Sequence, residues 1–126
     1  MRNQGLVKNY TAEAAIAAYR IVKFGAADGG VLIAAAATDK AIGVTDRLAA
    51  AVAGDRIDVI RSGIAEVEYG AAVAAGDLLM SDASGRAIVA AAAAGANVRT
   101  IGVAEVAGVL GDIGSVDLVP GSFQGA

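Results

Sequence analysis

The sequence has no cysteine and no histidine. Without cysteine there is no disulfide framework and no thiolate chemistry. Without histidine the commonest metal ligand and the commonest general base near neutral pH are gone, and a Ser-His-Asp arrangement is impossible. Tryptophan is absent and aromatics make up 4% of the residues, which counts against a binding cleft walled by rings. The net charge is −3 and no basic block occurs, so nucleic acid is not an expected partner. The longest uncharged run, Ala87 to Val98, is too short and too rich in Ala and Gly to span a bilayer. Met1-Arg2-Asn3-Gln4 leads into no apolar signal core. A soluble product of the cytoplasm, with no membrane contact, is the expectation.

What the chain does hold is alanine, 32 copies, and glycine, 17. At 126 residues it is sized for one domain. The 56% apolar content overstates the core, because alanine buries little area. Val and Ile, 15 and 10 copies against 7 Leu, favour strands; alanine favours helix. Glycine decides between them, since it leaves few windows of helical length. The expectation is an all-β fold, a small compact barrel or sandwich of short strands, with at most one or two short helical turns.

The most ordered stretch is Gly54 to Gly70. The same text, an Ala/Val-rich loop, then Gly-Asp, then an apolar strand, occurs at Ala51-Val52-Ala53-Gly54-Asp55, at Val73-Ala74-Ala75-Gly76-Asp77 and at Val109-Leu110-Gly111-Asp112. Three aspartates after glycines could suggest calcium, but no run has the dense oxygen-ligand spacing of a calcium loop. Turn chemistry, with each carboxylate accepting backbone N–H bonds, explains them better.

Along the chain, residues 1–15 read as an extended N-terminal arm, with Leu6, Val7 and Tyr10 as anchors for a neighbour. Thr11 to Ala15 could form one helical turn. Residues 16–120 read as the single β-rich domain, and 121–126 as a tail with Phe123 as a further anchor. Ile16 to Phe24 is the first strand; its faces, one carrying Tyr19 and the other Phe24, suit an edge or interface. Asp28-Gly29-Gly30 is a hairpin turn. Further strands fall at 31–37, 41–45, 56–61, 64–69, 78–80, 87–90, 100–106 and 115–119, and Pro120 ends the last. In Arg56 to Arg61, Ile57 and Val59 point one way, and Arg56, Asp58 and Ile60 the other.

Tests for chemistry come out bland. Glu66 and Glu68 share a strand face and read as solvated. Gly25 to Gly30 lacks the lysine of a phosphate loop. Arg47, Arg56, Arg61, Arg86 and Arg99 serve either solubility or salt bridges to a protein partner. No catalytic, cofactor-binding or metal-binding residue emerges, and an enzyme is not expected.

The order of several segments resembles the capsid cement, or head decoration, proteins of tailed bacteriophages. They are Tyr19-Arg20-Ile21-Val22-Lys23-Phe24-Gly25, Ile42-Gly43-Val44-Thr45, Gly54-Asp55-Arg56-Ile57-Asp58-Val59, Ser62-Gly63-Ile64-Ala65-Glu66-Val67, Ala75-Gly76-Asp77-Leu78-Leu79, Ser81 to Ala87 and Ile101-Gly102-Val103-Ala104. The likeness spans about residues 16–119. It implies a virion protein, made in the host bacterial cytoplasm, that binds the outside of the expanded shell and clamps neighbouring capsomers against DNA pressure. Its implied partners are the major capsid protein and itself, as a homotrimer at three-fold or quasi-three-fold sites. Leu6, Val7, Tyr10, Tyr19, Phe24 and Phe123 are the candidate contacts with shell or subunit. The competing reading is a carbohydrate- or ligand-binding β-module without catalytic activity.

Overall fold

A computed structural model describes residues 3–50 and 52–125; Ala51 of the first Gly-Asp motif lies outside them. The described residues form strands and no helix. In chain order these are β1 (Asn3–Gln4), β2 (Val7–Ala12), β3 (Ile21–Phe24), β4 (Gly30–Ile33), β5 (Ala41–Thr45), β6 (Arg56–Ile60), β7 (Gly63–Glu68), β8 (Leu78–Ser81), β9 (Ala87–Val89), β10 (Asn97–Ala104) and β11 (Ile113–Gln124). The first half closes a five-stranded barrel in the order β2-β4-β3-β5-β6. The second half, with β1 from the N-terminal end added at its edge, forms a six-stranded sheet in the order β1-β7-β11-β10-β8-β9. The all-β expectation holds, with barrel and sheet together.

Alternation sorts the side chains between two cores. Tyr10, Ala12, Val22, Val31, Ile57 and Val59 fill the barrel. Ile21, Val44 and Ile60 point outward from it into a second core, shared with Ala65, Val67, Leu79, Ile101, Val116 and Leu118 of the sheet. In β6 the sequence reading was right: Ile57 and Val59 face inward, Arg56 and Asp58 are exposed, and Ile60 turns the other way. Where β3 meets β5 the register shifts: Val22 pairs with Gly43 but Lys23 with Ala41, which leaves Ile42 as an extra residue in β5. That extra residue reverses the side-chain parity, so Ile42 joins the barrel core and Val44, two residues on, joins the shared one.

The second half repeats the first, position by position, at near-constant spacing. Ile16 bridges Ala50 as Val73 bridges Gly108. Tyr10 pairs with Ile57 as Val67 pairs with Gly114. The parallel pairing of Ala12 with Val31 that closes the barrel recurs as the parallel bridge from Tyr69 to Ala87. Main-chain bonds recur too: Ala12 N–H donates to the Asp55 carbonyl at 2.8 Å, and Tyr69 N–H to that of Asp112 at 2.8 Å. The fillings differ. Tyr69 is fully buried and donates through its hydroxyl to the Val106 carbonyl at 2.7 Å. Gly108 and Gly114 leave room for its ring, since a Cβ on Gly114 would fall within it. In the barrel the same three places hold Ala12, Ala50 and Ile57, so bulk has moved from one wall to another.

The Gly-Asp turns bear out their expected chemistry. Gly54, Gly76 and Gly111 have φ of 95°, 90° and 90°, the left-handed region glycine occupies without a Cβ clash. Each aspartate reaches back to the N–H three residues earlier: Asp55 to Val52 at 3.2 Å, Asp77 to Ala74 at 2.9 Å and Asp112 to Val109 at 2.9 Å. A fourth copy of this turn, at Ile16 to Ile21, carries Tyr19 (φ 60°) where the others have glycine and Arg20 where they have aspartate.

Four expectations need correction. The described part of the arm is built into the sheets: β1 pairs with Gly63–Ile64 and β2 is a barrel strand. Ile16 to Arg20 is a bridge and turn, so the strand starts at Ile21. Thr11 and Ala12 belong to β2, leaving no helical turn there. The supposed tail continues β11, which runs past Pro120 to Gln124. Proline is tolerated because Leu118 pairs with Gly102 and Gly121 with Thr100. Val119 and Pro120 therefore lie in a bulge, where a missing N–H costs no ladder bond.

Candidate interaction surface

β2, β3 and the residue after β6 bring two of the predicted contacts, Tyr10 and Phe24, together with Lys8 and Arg61; Leu6 precedes β2, and Val7 alternates to the opposite face from Tyr10. Leu6 is 56% exposed and held by its backbone: its N–H donates to Ser62 Oγ at 2.7 Å and its carbonyl accepts from Arg61 N–H at 2.7 Å. Val7 follows, opposite Ile60. Tyr10 is buried, but its hydroxyl accepts from Arg61 Nη1 at 3.0 Å. Phe24 is 51% exposed and meets the Tyr10 ring edge-on, with centroids 6.1 Å apart. Two cations cover these rings. The Arg61 guanidinium lies 5.6 Å from the Phe24 centroid, and Lys8 Nζ lies 5.2 Å from that of Tyr10. Each such contact is worth about 0.5–1 kcal/mol at an exposed site. The result is a cationic, aromatic surface on the barrel.

Tyr19 lies elsewhere. Its carbonyl accepts the Glu68 N–H at 3.0 Å, so its turn packs against the second half. Phe123 sits in β11 opposite Val98; its side chain is outside the described part. Sequence reasoning missed Lys8, which no local pattern marks, and offered Arg61 only among five scattered arginines. Of these, Arg56 bonds Asn9 and Thr11 at home, and Arg86 pairs with Glu68 at 3.7 Å. Glu68, read as solvated, also accepts from Arg20 at 2.9 Å. It ties the halves together, while Glu66 remains on the outer face.

Two carboxylates are held below their ordinary range. For Glu13 the N–H groups of Ala27 and Ala26, each at 2.9 Å, are the cause. For Asp39 burial pushes upward, but the Ala35 N–H and the Lys23 ammonium at 3.1 Å outweigh it. Burial, and then the charge of Asp112, raise the Tyr69 phenol. All three are turn and packing groups rather than a reactive set. A groove of about 650 Å³ is open and lined mostly by alanines with Ile16, Arg20, Ile33 and Ser84. No helix among the described residues is long and apolar enough to cross a membrane.

Comparison with known proteins gives one family and one fold. The family model described as phage cement protein matches residues 2–112. The solved structure of the head fiber gp8.5 N base of bacteriophage phi29 has the same fold, with a TM-score of 0.68. It shares 18% identity, covering 90% of this chain and 93% of that one. No curated protein matches the sequence.

Proposed function

The chain belongs to the phage cement protein family and is a structural component of a virion, and from that premise we propose that it binds the outer surface of the expanded capsid. There it joins neighbouring capsomers of the major capsid protein against internal DNA pressure, without catalysis. The family match over nearly the whole chain carries this reading. The fold suits it: two tightly joined β-units make a rigid body, and a contact repeated around a shell gains by avidity even when each copy binds weakly. Phe24 with Lys8 and Arg61 supplies apolar area and charge on one surface, and Leu6 and Val7 are further exposed apolar residues. Self-association into a homotrimer at three-fold or quasi-three-fold sites is part of the proposal.

The test mixes purified protein with expanded and unexpanded shells of its phage. Co-sedimentation with expanded shells only, and a higher temperature of shell disruption, is the expected result. Equal binding to both forms, or none to either, overturns the reading.

A further inference from the structure

We propose that copies of this chain associate head to tail: the Lys8–Tyr10–Phe24–Arg61 surface of one copy docks on the strand face around Asp117 of the next. Self-association is part of the function proposed above; this contact needs no shell to form.

The internal repeat supplies the argument. Across the first half, one rung of the sheet runs Val7–Ile60–Val44–Ile21. Ile60, Val44 and Ile21 are 1%, 0% and 0% exposed, because the second half covers them. The covering residues include Ala65, Val67 and Leu118 of the shared core, and Ser81, whose hydroxyl donates to the Ala34 carbonyl at 2.7 Å. Each half thus has a rung that can be covered and a surface that can cover. Within one chain only one of each is used.

Most of the unused pair is exposed: on the covering surface Lys8 and Phe24 are exposed and Arg61 partly so, while Tyr10 is buried beneath them with its hydroxyl on Arg61. The equivalent rung of the second half runs Ile64–Asp117–Val103–Leu78. Leu78 is 37% exposed, Asp117 is exposed, and Ile64 and Val103 are partly so. The positions equivalent to Ala65, Val67, Ser81 and Leu118 are Lys8, Tyr10, Phe24 and Arg61, as the registers Ala65–Val116 against Lys8–Val59 and Ser81–Ala87 against Phe24–Val31 require. So the surface left free on the first half corresponds to the one that covers a rung within the chain, and the rung left free corresponds to the one covered.

Charge fits the same pairing. The chain has eight basic and six acidic residues before Gly63, and two basic and seven acidic from there on. The free surface presents Lys8 and Arg61; the free rung has Asp117 where the covered rung has Ile60, with Glu66 on the same face. Where the internal contact is apolar, the external one is mixed, as expected of a face that must also meet water. Opposite charges set the register and exclude like-to-like pairing. The contact is heterologous, so it closes into a ring when the rotation between copies allows.

The test uses the full chain in two variants, each checked for an unchanged melting temperature. Asp117→Lys spoils the rung and keeps the cationic surface; Phe24→Ser/Arg61→Ser does the reverse. By sedimentation equilibrium the wild type is expected to oligomerise, more weakly as salt screens the charges. Each variant alone is expected to associate at least about tenfold more weakly, a typical loss at a central contact. Mixed, they restore one contact and stop at a one-to-one dimer. An oligomer indifferent to both variants overturns this contact and leaves self-association standing. A wild type that stays monomeric with and without salt overturns both.

Discussion

At the scale of residues, a few glycines carry the design. Gly111 sits at φ 90° with nothing near its missing side chain, so alanine there meets backbone strain alone. Gly111→Ala should lower unfolding free energy by about 1–2 kcal/mol, read from urea titration. Gly114 differs: its backbone is free, but Tyr69 occupies the space of a Cβ. Gly114→Ala should cost about 1–3 kcal/mol by overpacking, and much of that loss should return in the double variant with Tyr69→Leu, a non-additivity that marks direct contact. Tyr69 also gives the fold an alkaline limit. Its folded pKa is raised by burial and then by Asp112, so its contribution is complete below about pH 10, the unfolded value, and is lost as pH climbs through the folded one. Urea midpoints measured toward high pH should fall in the wild type and fall less in Tyr69→Phe. The Asp turns were legible in the sequence because their chemistry spans four residues. The pairing of Tyr69 with Gly108 and Gly114 was not, since those glycines lie far along the chain.

At the scale of elements, strands whose pattern alternates locally were easy to place, and β6 and β7 fall nearly where expected. The polar Lys8 and Asn9 make β2 resemble part of an extended arm, and Thr11 resembles the cap of a helical turn. The strand's burial comes from β4 and β6, partners that no local window contains. Proline reads locally as the end of β11, but a bulge accommodates it. Beyond Leu118, β11 pairs with β10 and no longer with β7. This two-stranded ribbon has less support than the sheet it leaves. Amide exchange at Ser122 and Gln124 should therefore run faster than at Val116 and Leu118; equal protection would mean that the ribbon is anchored by a further contact.

At the scale of the molecule, the repeat is the main feature that the sequence held and local reading passed over. Glu13-Ala14-Ala15-Ile16-Ala17-Ala18-Tyr19-Arg20 aligns with Gly70-Ala71-Ala72-Val73-Ala74-Ala75-Gly76-Asp77, and Ile42-Gly43-Val44 with Ile101-Gly102-Val103. Alanine-rich text hid the match, and the fourth turn had lost both its Gly and its Asp. Though duplicated, the halves should not melt separately, because Ile21, Val44 and Ile60 of one lie in the core of the other. Calorimetry should give one transition, with calorimetric and van't Hoff enthalpies equal.

The junction between the halves has a mechanical consequence. Only Arg61 and Ser62 separate β6 from β7, and Leu6 and Gly5 fasten both: Arg61 N–H donates to the Leu6 carbonyl, and Gly5 N–H to that of Ser62 at 2.9 Å. Such a joint cannot hinge, so the span between the outer ends of the two halves is fixed, like the jaws of a locked caliper. A body of fixed span can sense lattice spacing by length alone. On a shell that widens as it matures, it would seat at one spacing and be refused at the other. Two glycines inserted after Ser62 should unlock the jaws and blur the proposed preference for expanded over unexpanded shells.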